Sequence, residues 1–340
     1  MESHTGIGRR ALVMGASGFV GSHVTRQLVE RGDEVRVLLR KTSSTRGIDD
    51  LDVEVHYGDL VDQQAVRRAM ADRDVVYYCV VDARAWLHNP APLFATNVEA
   101  LRHVLDVAAE ANLHRFVFLS TIGTVAIGSG DSPANEETPF NWHGQGGPYI
   151  ESRLQAEQLV MRYAEERGLP AVAMCVSNTY GPRDWQPTPH GSLVAAAALG
   201  KMPVYVKDVA AEVVGIEDAA AAMLLAGERG RVGERYIISE SFMTTRDVLE
   251  TAAHAVGVKP PRFGVPLQLV TMFGHAVSLL RLGLPVNATT VRLMRLTSPL
   301  DHGKAVRELG WTPNPTSDSI RRAAHFYVER AQRRPQAVKP

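Results

Sequence analysis

A phenol and a cation four positions apart, Tyr149 and Arg153 in Tyr149-Ile150-Glu151-Ser152-Arg153, are the side chains best suited to proton chemistry. Residues at that spacing share one helical face, so both can point at one site. A fixed cation beside a phenol favours phenolate and draws its pKa down towards a working acid/base. Taken alone, such a pair is a surface commonplace. Its place in the chain gives it weight. A hydroxyl pair, Ser120-Thr121, ends an apolar run at what reads as the carboxyl edge of a parallel sheet, where open α/β sheets bind ligands.

A second constellation is Gly15-Ala16-Ser17-Gly18-Phe19-Val20-Gly21, between the first predicted strand and the first predicted helix. Glycines at 15, 18 and 21 allow a tight turn, close approach of backbone to a pyrophosphate, and close helix–sheet contact. The phosphate then sits on free helix amides, which makes Gly15, Ser17, Gly18, Phe19, Val20 and Gly21 candidate cofactor contacts. Glycines also end strands for steric reasons, and the spacing departs by one residue from the commoner dinucleotide fingerprint; position is what points to a dinucleotide. An NAD-preferring site offers a carboxylate to the ribose about twenty residues further on. Here the run is Leu39-Arg40-Lys41-Thr42-Ser43-Ser44. Arg40, Ser43 and Ser44 present a guanidinium and hydroxyls where a 2′-phosphate would lie, so NADP(H) is expected, against the plainer reading of a solvated loop. Asp59-Leu60, after the third strand, are placed to close over the adenine, although many turns carry such a pair.

The elements that must hold these residues follow from hydrophobic period. Apolar runs at 10–14, 34–39, 53–56, 75–81, 115–120 and 171–177 alternate with helical stretches such as 18–31, 94–111 and 149–166, the rhythm of a doubly wound parallel α/β sheet. Beyond Gly181 that rhythm breaks into Pro-rich connections, and a smaller lobe is expected. Runs at 213–216 and 236–238 read as strands too, so a return to the first sheet is expected over 209–240. The division is then 8–180 plus 209–240 for the dinucleotide-binding part, 181–208 and 241–330 for the substrate lobe, and solvated termini at 1–7 and 331–340. Residues 263–280 carry no formal charge. Pro266, Gln268, Thr271, Gly274, His275 and Ser278 interrupt the segment, while Val265, Leu269, Met272, Ala276 and Leu279 recur at helical spacing. A buried or lid helix is expected, with that face turned inwards; the alternatives are contact with a membrane surface and a true span.

Length and composition bound the rest. A chain of 340 residues suggests about two domains. Lys+Arg 37 against Asp+Glu 37 gives net zero, so overall charge recruits neither nucleic acid nor an anionic surface, and a small-molecule substrate is expected. Hydrophobic content of 45% with 22% charged residues excludes a disordered or collagen-like chain. Cys79 and Cys175 are too few for a disulfide framework and lack zinc-ligand spacing. The twelve histidines show no ligand pair backed by carboxylates, so no metal is expected, and His143 and His190 read as loop residues. The opening MESHTGIGRR lacks the apolar core of a secretory signal, which with the few cysteines gives a cytoplasmic expectation without a transmembrane span.

Along nearly its whole length the chain resembles an extended short-chain dehydrogenase/reductase. The resemblance is carried by the glycine pattern, Asp59, Asn97 in Thr96-Asn97-Val98-Glu99-Ala100, Ser120-Thr121, Tyr149 with a cation four later, Ser177-Asn178-Thr179-Tyr180-Gly181-Pro182, and Lys304-Ala305-Val306-Arg307-Glu308-Leu309-Gly310-Trp311. Asp82-Ala83-Arg84-Ala85-Trp86 and Gly181-Pro182-Arg183-Asp184 through Pro187-Thr188-Pro189 are similar to the dihydroflavonol-reductase-like group, which includes hopanoid-associated sugar epimerases and 3β-hydroxysteroid-dehydrogenase relatives. The resemblance implies a doubly wound parallel Rossmann sheet with a smaller C-terminal α/β substrate lobe. It implies that Tyr149 gives a proton to, or takes one from, the substrate oxygen, that Thr121 holds that oxygen with Ser120 beside it, and that Val80, Asn97, Val176 and Asn178 join the cofactor seat.

Three departures stand out. Thr121 replaces the usual Ser, Arg153 replaces the usual Lys, and Tyr78-Cys79-Val80-Val81 stands where relatives have His and paired alanines, bulk that would reshape the cofactor seat. Arg153 keeps the charge but not the point geometry of an ammonium. It acts either as an electrostatic tuner of Tyr149 or as a structural residue paired with Glu157. The expected function is an NADP(H)-dependent oxidoreductase for a fairly apolar carbonyl or secondary alcohol, with Trp185, Met202, Phe242, Met272 and Phe273 as pocket candidates. The alternatives are a sugar-nucleotide epimerase or dehydratase, with Arg183, Lys201 and Lys207 to meet a diphosphate, and an NADP(H)-binding sensor without turnover. The resemblance is compatible with a homodimer through the 94–111 and 149–166 helices, although those faces would equally pack on their own sheet.

Overall fold

The computed structural model describes residues 9–129, 132–280 and 288–333. From the first strand, β1 (Arg10–Met14), the glycine turn leads to α1 (Phe19–Glu30), β2 (Glu34–Leu39), β3 (Glu54–Tyr57), α2 (Gln63–Met70) and β4 (Val75–Tyr78). Next, α3 (Ala91–Phe94) passes through a π-helical turn at Ala95–Glu99 into α4 (Ala100–Glu110), followed by β5 (Arg115–Thr121), α5 (Gly147–Arg167) and β6 (Ala171–Val176). The remainder comprises β7 (Asn178–Tyr180), α6 (Pro189–Ala198), β8 (Val204–Val206), β9 (Ala210–Gly215), α7 (Ile216–Arg229), β10 (Arg235–Ile238), β11 (Ser241–Thr244), α8 (Thr245–Ala255), β12 (Phe263–Val265), α9 (Leu267–Leu279), α10 (Ala288–Leu293) and α11 (Thr316–Gln332).

Seven strands form one parallel sheet in the order β10-β6-β5-β4-β1-β2-β3. Its inner strands are covered on both faces, which is why they read as unbroken apolar runs. Leu12, Met14, Val76, Tyr78, Phe116 and Phe118 face α2, α4 and α5. Val13, Val37, Val117 and Met174 face α1 and α7. The apolar faces of α4 and α5 are thus spent on their own sheet, through Val104, Leu105, Leu159 and Val160.

The strands within 209–240, a stretch expected to return to the first sheet, join different sheets. β10 pairs with β6, Tyr236 opposite Met174, but β9 lies at the centre of a separate three-stranded sheet, β11-β9-β7. The cause is a break at Ser177. The chain leaves the main sheet there, the Ser177 amide donates to the Ile238 carbonyl at 3.0 Å, and β7 is left to recruit β9.

The charge-free segment also differs from expectation. α9 is a helix, but its burial is opposite in phase: Gly274 and Val277 face the protein, whereas Leu269 (56% exposed), Met272 (68%) and Leu279 (85%) face outwards. Period alone gives a stripe but not its direction, and the large and small apolar residues here form two stripes. α11 continues to Gln332, past the expected start of the solvated C-terminus; residues 1–7 and 334–340 lie outside the described residues. Among the described residues, no helix is long and apolar enough to cross a membrane.

Candidate active and cofactor site

The glycine turn stands where β1 and β4 meet, the point at which the strand order reverses and ligands enter open α/β sheets. Gly15 adopts φ +87°, and a Cβ there would lie 2.7 Å from the Cys79 carbonyl. A Cβ on Gly21 would lie 2.2 Å from the Gly15 oxygen. These two glycines let β1, β4 and α1 touch. Gly18 differs: it is exposed, its φ is −84°, and an added Cβ would meet only the Gly15 oxygen, at 3.3 Å. It begins α1 without a side-chain cap, so first-turn amides are left open at the sheet edge, flanked by the half-buried Ser17, Phe19 and Val20. Behind this turn the His23 ring bonds the Pro182 carbonyl through Nε2 at 3.1 Å, and burial pulls its pKa down to about 4.

β2 lies beside β1, so the turn after it stands next to the glycines. There the Ser43 amide donates to the Arg40 carbonyl at 2.9 Å, and the exposed Arg40 guanidinium has no side-chain partner among the described residues. Ser43 and Ser44 are half-buried, and Ser44 Oγ accepts weakly from the Arg46 amide at 3.5 Å. One strand further, exposed Asp59 accepts from the Val61 amide at 3.2 Å, while Leu60 packs on the α2–α4 side of the sheet.

Beyond β4, Val80 is half-buried at the sheet edge. Tyr78 does not enter the seat: strand alternation turns it into the helix layer, stacked on Phe116 and Phe118 at 6.1 and 6.0 Å. The expected reshaping therefore does not come from this ring. Asn97, in the π-helical turn, is fully engaged as a clamp. Its Nδ2 donates to the Asp82 carbonyl and to Ser152 Oγ, both at 3.0 Å, and its Oδ1 accepts from the Asp82 amide at 2.8 Å. Val176 is buried at the end of β6, and Asn178 is half-buried two residues on; between them, the buried Ser177 hydroxyl has no partner among the described residues.

Thr121 ends β5, and its Oγ1 accepts from the Gly123 amide at 3.2 Å. α5 starts at Gly147, with φ +70°, followed by Pro148 in the first turn, which suits Pro because it has no N–H to lose. Tyr149 comes next, with its hydroxyl near enough to the Thr121 side chain to feel its polarity. Burial raises the Tyr149 pKa; Arg153 and Thr121 pull it down but do not outweigh burial. The expected net lowering is thus corrected: the phenol is protonated at neutral pH. Ser120 points to the other face of β5 and donates to Glu157, whose carboxylate also accepts from Thr124 at 2.7 Å and pairs with Arg235 at 3.1 Å. It takes no part in the Tyr149–Thr121 corner.

Arg153 is completely buried. Its guanidinium lies 5.1 Å from the centre of the Phe118 ring and donates to the Leu119 carbonyl, while Nε and Nη1 have no partner among the described residues. Burial lowers its pKa, and Tyr149, Tyr78 and Glu157 oppose that shift. The expected alternative of an Arg153–Glu157 ion pair is not formed, because Glu157 is taken by Arg235 of β10. Glu157 was visible in the sequence one turn after Arg153; its partner, from a strand far along the chain, was not.

The five pocket candidates do not converge. Trp185 packs edge-on against Phe326 at 5.0 Å, Met202 joins the core between α6, α8 and α11, and Met272 and Phe273 are exposed on α9. Phe242 lines a hollow of about 470 Å³ with Leu267 and Met294. A second hollow, of about 290 Å³, lies beside the start of α5, walled by Phe94, Phe140, Trp142, Ile150 and Leu154. Arg183 is paired with Asp50 at 3.3 Å.

A parallel sheet of this order, with an open glycine turn at the reversal point, defines a Rossmann-type dinucleotide-binding fold. Within that class the chain belongs to the NAD dependent epimerase/dehydratase family, whose model matches residues 11–239, and so to the extended short-chain dehydrogenases/reductases. It is 27% identical over 323 residues to a Synechocystis protein named "Putative dihydroflavonol 4-reductase", covering 93% of each chain. It is 28% identical to sterol demethylase protein B of Methylococcus capsulatus, covering 94% of this chain and 98% of that one. The crystal structure of gox2253 superposes with a TM-score of 0.84 at 32% identity, covering 95% of this chain and 99% of that chain.

Proposed function

We propose that this protein is an NADP(H)-dependent oxidoreductase that interconverts a carbonyl and a secondary alcohol on a small, fairly apolar substrate. The observation that carries the reading is the Tyr149–Thr121 hydroxyl pair at the carboxyl edge of the sheet that bears the open glycine turn. The residues present fit a dinucleotide. Gly18 leaves space that a Cβ would fill above uncapped helix amides, and Arg40, one strand away, offers a guanidinium with no side-chain partner among the described residues. Bound NADP(H) supplies or accepts hydride at the nicotinamide. Gly18 and the first turn of α1 hold the pyrophosphate, and Arg40 with Ser43 and Ser44 read the 2′-phosphate. Thr121 orients the substrate oxygen. Tyr149, kept neutral by burial, gives that oxygen its proton in reduction and takes it back in oxidation. The apolar substrate class is supported by the aromatic hollow beside the start of α5 and by the sterol and flavonol names of the relatives.

A screen of ketones, sterols, lactols and sugar nucleotides by NADPH absorbance tests this reading. Tyr149→Phe should lose at least about a hundredfold in turnover with NADPH affinity kept, since only the hydroxyl goes. Equal turnover by that variant rejects Tyr149, and sugar-nucleotide conversion without net cofactor change rejects the oxidoreductase in favour of an epimerase. Arg40→Asp should reverse the preference between NADP(H) and NAD(H); an unchanged ratio of the two Kd values removes Arg40 as the phosphate reader.

A further inference from the structure

The outward stripe of α9 is not explained by the catalytic reading. Leu269, Met272, Phe273, Leu279 and Leu280, with the exposed Ala276 between them, recur at three- and four-residue spacing, and each of these five large side chains is more than half exposed. Phe263 on β12, 67% exposed, precedes them and pairs in register with the exposed Val204 of β8. Soluble chains rarely expose so many large apolar side chains together unless the patch is covered by something. The charges around it say what. Between residues 251 and 300 the sequence has no Asp or Glu. In the same stretch Lys259, Arg262, Arg292 and Arg295 are all exposed. Arg295 donates to Thr271 at 3.0 Å, and none of the four is ion-paired among the described residues. Elsewhere this neutral chain pairs its surface arginines freely, as in Arg10–Asp74, Arg67–Glu110 and Arg246–Glu250.

We propose that α9 and its flanking cations form a docking surface for an anionic lipid bilayer, with the helix lying in the interface plane. An apolar stripe inserts among acyl chains while unpaired cations meet phosphate headgroups, which is the arrangement interfacial helices use. At thirteen residues α9 is too short to span a bilayer, so it lies on the surface. α10, which packs on α9, also meets the start of α5: a Cβ on Gly147 would lie 2.7 Å from the Thr289 methyl group. The docking surface is therefore one helix removed from Tyr149. The proposal does not depend on the oxidoreductase reading, because its test needs no turnover.

The test is co-sedimentation of the full chain with vesicles of phosphatidylcholine alone and of an equal mixture of phosphatidylcholine and phosphatidylglycerol. Binding should be at least about tenfold stronger to the mixture and should weaken with salt. Met272→Glu with Phe273→Glu should abolish it at an unchanged melting temperature, since both side chains are exposed, and Lys259→Glu with Arg292→Glu should reduce it. Absence of binding to the mixture overturns the proposal, as does binding that the double glutamate variant retains. Concentration-dependent dimers that dissociate in that variant, without vesicle binding, assign the face to a second copy of the chain and overturn it equally.

Discussion

The glycine turn and the α5 corner sit at the same edge of one sheet, yet their sequence patterns translate into structure differently. At the turn, each glycine's job follows from backbone contacts alone: Gly15 and Gly21 have no room for a Cβ, and Gly18 has room that opens outwards. At the corner, spacing puts Tyr149 and Arg153 on one helical face, but burial decides what they do. Tyr149 reaches Thr121, while Arg153 is drawn beneath the site, onto the Phe118 ring. A pattern that specifies backbone is read directly. One that specifies a long side chain gives its face and leaves its depth open.

The sharpest break of this comparison lies within the glycines. Gly21→Ala drives its new Cβ into the Gly15 carbonyl oxygen, and should cost about 3 kcal/mol in denaturant unfolding. Gly18→Ala should cost under about 1 kcal/mol. Gly18→Val should weaken NADPH binding by at least about tenfold while the protein stays folded. Equal destabilisation by the alanines at 18 and 21 would mean that the turn is a packing device throughout.

His23 tests how firmly the helix of the glycine turn is tied down. Its folded pKa, about 4, lies below the ordinary 6.5, so the unfolded chain binds the extra proton first as pH falls. The contribution is therefore fully present above about pH 6.5, is lost as pH drops towards 4, and amounts to roughly 3 kcal/mol over that window. His23→Gln keeps a donor for the Pro182 carbonyl without the titration. Wild-type stability should fall more steeply than that of the variant across the window; parallel curves would show that the ring is not held neutral.

The sheet was legible because strands covered on both faces must be apolar, and β1 and β2 fall at the expected residues. The three-stranded sheet was not legible, because the bend at Ser177 is set by β10 arriving from sixty residues away. In α9, hydrophobic period fixed a helix but not which of its two apolar stripes turns inwards; that depends on the neighbours it packs against, above all α10. At the site, the hydroxyls of Thr121 and Tyr149 were identifiable from position along the chain. The diversion of Ser120 to Glu157, and of Glu157 to Arg235, depends on a strand that the sequence places far off.

Arg153→Met should change stability little and separates the two regions most cleanly. The substitution loses a charge-assisted bond to the Leu119 carbonyl and the contact with Phe118. It also removes a buried charge whose Nε and Nη1 find no acceptor among the described residues. Each side of that balance is of order 1–3 kcal/mol, so the net change should stay within about 1 kcal/mol. The kinetic effect has a definite sign. Arg153 is one of the two groups that hold the Tyr149 pKa down against burial, so removing it lets burial push the phenol further up. On a substrate found in the NADPH screen, the limb of the pH–rate profile assigned to Tyr149 should move to higher pH, in either direction of reaction. Arg153→Lys restores a cation and should bring the limb back towards wild type. If all three profiles coincide and only the melting temperature changes, Arg153 is a packing residue. The corner then resembles the glycine turn after all, a place where geometry rather than charge sets the site.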